Sequence, residues 1–198
     1  LAMKDLELRG AGNLLGAAQS GHITAVGFAL YCQLLRSTVA HLKGEPPPPV
    51  IDVNVLLDFL QLSPRAAGGD DTAILPYSYI EDERLRIATY RRMAEAASDE
   101  DIASVTADLR DRYGPPPPAV TRLLKVARLR VAAARHKIRQ VEVRGDKLML
   151  LGPEDYLMKG TRFPRLKAPT PDGKLDEILE LVESAPRWGR AGTASADA

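Results

Sequence analysis

The chain has 198 residues, 45% of them hydrophobic and 27% charged, with a formal net charge of +1. This is ordinary composition for one or two globular domains and gives no chain-wide polyanion signal, so any nucleic-acid contact has to be local. The one cysteine, Cys32, excludes an internal disulfide and suits a reducing, cytoplasmic setting, and no stretch approaches the roughly 18 consecutive apolar residues of a membrane span.

The chain opens at Leu1 inside a pattern already under way, as expected for the C-terminal piece of a longer protein. Residues 1–8 read as the last turns of a helix. Residues 9–22 then place Gly10, Gly12 and Gly16 close together, with Gly21 following. Glycine suits a backbone that must take positive φ or approach something closely. Arg9 and Gln19 flank the loop, one a five-donor fork and the other an amide that gives and accepts. The spacing fits neither a P-loop nor a Gly-x-Gly-x-x-Gly fingerprint. The residues alone leave two readings open: a connector between helices with Arg9 paired to Asp5 or Glu7, or an anchored loop that presents a cation and an amide. His22 has no second metal ligand near it in sequence.

Residues 25–43 predict a helix, with Phe28, Tyr31, Leu35, Val39 and Leu42 on one face and Gly44 as its stop. Cys32 lies within it and reads as a packed thiol. Pro46 to Pro49 make a stiff linker over 45–50. Ile51, Val53 and Val55 alternate with polar residues and predict a strand, and residues 63–73 read as a surface loop. Residues 74–80 read as irregular and extended.

Three helices are predicted next. The first spans 81–96, with Leu85, Ala88 and Met93 toward the core. The second starts at Ser98, a good N-cap followed by Asp99, Glu100 and Asp101, and ends at Gly114. The third runs from 116–119 to Lys137. Ile138, Val141 and Val143 then alternate before Gly145-Asp146 and Leu148–Leu151, a hairpin pattern. Residues 153–171 read as irregular. Leu175, Ile178, Leu179 and Val182 predict a last helix, and 185–198 a disordered tail.

The fold class is therefore a helix-rich α/β (α+β) chain. It has an N-terminal helical hairpin and loop element (1–44), a linker (45–50), a small mixed α/β domain with a β-hairpin (51–184) and a tail. No catalytic constellation or metal cluster is visible in the sequence. Eight Lys or Arg residues and no acid lie between Arg112 and Arg139. They read either as a basic face for phosphate or an acidic partner, or more plainly as a solvated helix face. Arg84, Arg91, Arg92, Arg122 and Arg128 are the candidate docking residues.

The segment Asp5-Leu6-Glu7-Leu8-Arg9-Gly10-Ala11-Gly12-Asn13-Leu14-Leu15-Gly16, followed by Gln19-Ser20-Gly21, resembles the translocation motif of bacterial transcription-repair coupling factors. RecG-type branch-migration helicases share a similar motif. The stretches 25–35, 82–93 and 109–118 resemble the coupling-factor helix and its C-terminal domain. The resemblance implies that Arg9 and Gln19 couple ATP-driven motor closure to movement on double-stranded DNA, with Gly10, Gly12 and Gly16 shaping the turn. It implies no cofactor on this piece, ATP and magnesium belonging to the parent motor upstream. It further implies that 51–184 docks on an N-terminal repair-protein-like module and keeps the surface for the repair protein UvrA covered until RNA polymerase is engaged. The alternatives are the end of a RecG-type helicase, or a stand-alone nucleic-acid-binding module resting on 112–139.

Overall fold

The computed structural model describes residues 51–62 and 71–190, all within the compact unit Pro49–Ala198. Arg9, Gln19, Gly10, Gly12 and Gly16, the 25–43 helix, the proline linker, most of the 63–73 loop and residues 191–198 lie outside the described residues.

The strands are β1 (Asn54–Leu57), β2 (Gln140–Arg144), β3 (Lys147–Leu151), β4 (Tyr156–Met158) and β5 (Gly189–Arg190). The helices are α1 (Glu83–Glu95), α2 (Asp99–Tyr113), α3 (Pro118–Arg135) and α4 (Pro171–Ser184). The sheet order follows the chain, β1-β2-β3-β4-β5; β1 runs parallel to β2 and every later pair is antiparallel. This is the mixed α/β domain with a hairpin that the pattern predicts.

The hairpin forms because Val141, Val143, Leu148 and Leu150 alternate onto one face and are all fully buried. Gly145 sits at φ 64°, the first turn position where a β-carbon would be strained. Those side chains meet Leu129, Ala132 and Ala133 of α3 and Leu175, Ile178 and Val182 of α4. A second cluster lies on the other side of α3, where Val120, Leu124, Ala127 and Val131 meet Ile80, Met93, Ile102, Val105 and Leu109. Burying each large aliphatic side chain contributes about 1.5–3 kcal/mol before the entropy of ordering is subtracted. Helix α3 is thus apolar on two faces and stands between the two clusters.

Local signals set the helix ends. Ser98 and Asp101 form a reciprocal capping box at the start of α2. Asp82 and Thr170 cap α1 and α4 with their side chains. Pro118 and Pro171 occupy first turns, where the missing N–H costs nothing. Gly114 ends α2 at φ 81°.

Four expectations need correction. Leu85 and Ala88 do not face the core, because Arg86 turns inward to donate to the carbonyls of Ile80 and Glu81 while Met93 and Tyr90 supply the packing. Residues 74–80 are irregular as expected but not extended throughout, since 77–79 form a turn, with Ile74, Leu75 and Ile80 buried. The irregular stretch 153–171 contains β4, whose three residues are too short to show alternation. The start of the expected tail is ordered: Ala185–Arg187 form a 3-10 turn, Ala185 is fully buried, Trp188 packs on the first cluster and β5 pairs with β4.

Candidate docking surface

Helix α1 presents two stripes to solvent, set by the three- and four-residue spacing of a helix surface. Arg84, Ile87, Ala88 and Arg91 share one, all exposed. Leu85 lies two turns before Arg92 on the adjoining one. Leu85 at 43% and Ile87 at 44% are among the few exposed large apolar residues of the described chain; Tyr77, at 68%, lies under the Arg86 guanidinium. Beside the second stripe a shallow open cleft of about 180 Å³ separates α1 from α2, lined by Arg92, Glu95, Ala96, Asp101, Ser104 and Val105.

The charges on this surface differ in how they are held. Arg92 donates to Asp108 of α2 at 2.6 Å, and Arg91 to Glu95 at 2.7 Å. Both pairs are exposed, where such bonds contribute at most about 1 kcal/mol. Arg84 has no ion pair among the described residues. The floor is firmer. Tyr79 donates its hydroxyl to the carbonyls of Leu109 and Gly114, and the Tyr90 hydroxyl accepts from the Leu75 N–H at 2.8 Å. Burial raises the pKa of both phenols, so each stays a neutral hydroxyl.

The basic run of α3 is largely solvated, as the plainer sequence reading has it, but several of its cations pair with neighbouring elements and one is buried. Arg122 is buried, donating to Asp172 of α4 at 2.8 Å and to the Thr72 carbonyl at 3.1 Å. Lys125 pairs with Asp176 at 2.6 Å. Arg128 and Arg135 converge on Asp99 of α2, and Arg135 and His136 also reach Glu183 of α4. Arg130 donates to the carbonyls of Ile51 and Ala94, and burial lowers its pKa from the ordinary guanidinium value. These cations hold α3 to its neighbours. Arg112, Lys137 and Arg139 remain exposed.

Of the candidate docking residues, Arg84, Arg91 and Arg92 therefore come together on α1. Arg128 lies on α3, exposed but tied to Asp99, and Arg122 faces inward. Leu85 and Ile87 were missed as surface residues because an apolar residue in a helical period reads as core unless its neighbours in space are known. No group of three or more metal-ligating side chains occurs among the described residues. This surface offers shape, apolar contact and charge, which is the chemistry of docking.

The family model for the TRCF domain matches residues 70–158. The chain is 34% identical over 188 residues to the transcription-repair-coupling factor of Myxococcus xanthus, a match covering 94% of this chain and 15% of the relative. The chain belongs to the transcription-repair coupling factor family. The coupling factor of Escherichia coli K12 is 36% identical over 142 residues, 72% of this chain and 12% of the relative. That of Mycobacterium tuberculosis CDC 1551 is 36% identical over 168 residues, 77% and 12%. The chain thus spans 12–15% of the length of these coupling factors. A crystal structure described as the C-terminal domain of a transcription-repair coupling factor superposes with a TM-score of 0.44 at 18% identity, covering 67% of this chain and 95% of that one.

Proposed function

We propose that this chain is the C-terminal part of a transcription-repair coupling factor, a double-stranded DNA translocase that removes stalled RNA polymerase and brings in excision repair. In this reading residues 1–44 pass ATP-driven motor closure to the DNA through Arg9 and Gln19. Residues 51–190 form a regulatory domain that docks on the N-terminal repair-protein-like module of the same parent and keeps its UvrA-recruiting surface covered. ATP and magnesium act in the motor and not on this piece.

The observation that carries the reading is the run of matching signatures in one order, with about a third of residues identical to known coupling factors across most of the chain. The α1 surface supports the docking half, since Leu85 and Ile87 stand exposed beside Arg84, which has no ion pair among the described residues. The DNA half is tested in the full parent. Arg9→Ala should abolish translocation on duplex DNA, read by triplex displacement, and leave nucleotide binding intact. Unchanged translocation by that variant would remove Arg9 from the coupling role.

A further inference from the structure

The helical layer covers one face of the sheet. Alternation puts Val141, Val143, Leu148 and Leu150 on that side and Glu142, Arg144, Lys147 and Met149 on the other, where no described helix packs. At the turn end of this open face three cations stand in register. Arg144 lies directly opposite Lys147, and Lys147 directly opposite Arg165. Residues paired in this way project to the same face, so the row crosses three neighbouring strand segments over about 10 Å.

Like charges opposite one another on adjacent strands destabilise a sheet. Here the repulsion is reduced without removing the charges from solvent. Glu142, itself buried, accepts from Arg144, and Asp146 accepts from Arg165 at 2.7 Å through both oxygens. The Asp146 hydrogen bonds raise the pKa of Arg165 and lower that of Asp146, so both stay charged. Lys147 sits 4.3 Å from the centroid of the Phe163 ring, which Tyr156 meets edge-on. Arg144 and Arg165 still expose 76% and 69% of their side chains. Next to Phe163 the tight turn Lys159–Arg162 adds two exposed cations with no carboxylate partner among the described residues.

We propose that the row Arg144–Lys147–Arg165, with the Lys159–Arg162 turn, is a contact site for the phosphate backbone of nucleic acid. A line of oriented forks and an ammonium suits a repeating polyanion rather than a single small anion. The site lies on elements separate from the α1 docking surface and goes beyond that function.

The test uses the 198-residue chain and a short labelled DNA duplex, with anisotropy read across about 50–200 mM salt. The triple variant Arg144→Glu, Lys147→Glu, Arg165→Glu should weaken binding at least about tenfold and reduce the slope of log K against log salt by about two to three. A charge-reversed control at the end of α2, Arg110→Glu with Arg112→Glu, should leave that slope within about one of wild type. Any contact from residues 1–50 is common to all three proteins. Circular dichroism checks folding. If the triple variant does not fold, Lys159→Glu with Arg162→Glu carries the same expectation with a slope change of about one to two. Equal weakening by row and control variants would overturn the site. So would a row variant that binds like wild type, or a wild-type chain that binds anionic vesicles or an acidic peptide more tightly than the duplex.

Discussion

Arg122 is where three separate parts of the domain meet: the second turn of α3, the segment at Thr72 and the first turn of α4. A guanidinium satisfies two acceptors there from a fixed fork, and a lysine could not reproduce that geometry. Arg122→Ala leaves the Thr72 carbonyl buried without this donor and Asp172 without its cation. It should lower unfolding free energy by about 1–3 kcal/mol in urea melts, whereas Lys125→Ala, which breaks the more exposed pair with Asp176, should cost less than about 1 kcal/mol. Equal effects would mean the inward placement of Arg122 contributes nothing. The sequence shows an arginine in a basic helix and cannot show this role, because Asp172 and Thr72 each lie 50 residues away.

At the scale of elements, the features legible in the sequence are those with local causes. The α2 capping box lies within four residues, the hairpin turn within two, and the apolar period of α4 within one helix. The capping box also has a pH consequence. Asp101 is held below the usual carboxylate range, chiefly by the Ala97 N–H, with Ser98 adding further bonds. A group with a lowered folded pKa adds stability that is present above its unfolded value, near 3.8, and is lost as pH falls through the lower folded value. Asp101→Asn should therefore reduce stability at neutral pH and flatten the decline below about pH 4, measured by denaturant melts from neutral to acid. A variant with the wild-type acid slope would assign that decline to other carboxylates. β4 and β5 escaped the sequence reading because neither carries its own signal. Their pairing depends on β3, on Trp188 and on the buried Ala185, all of which are tertiary facts.

For the whole molecule, α3 explains both the architecture and the placing of charge. Its two apolar faces join the sheet and α4 to α1 and α2, and its cations close the remaining gaps by pairing with acids on both neighbours. A basic run without acids reads in sequence either as a binding face or as a solvated helix face. In the fold its partners come from α2 and α4, which lie before and after it in the chain. Two surfaces are then left for recognition among the described residues, the outer side of α1 and the row of Arg144, Lys147 and Arg165 on the sheet. The motifs that resemble the coupling factors do not say which arginines face out.

The proposed docking of residues 51–190 on the N-terminal repair-protein-like module of the parent is directly testable. The most direct measurement is calorimetric binding of this chain to that isolated module at low salt, repeated with Arg84→Glu combined with Ile87→Asp. If residues 51–190 dock there, binding is saturable, weakens with salt and is at least about tenfold poorer in the variant, through the loss of one exposed apolar anchor and one reversed charge. No binding by the wild-type chain, or identical binding by the variant, would contradict it.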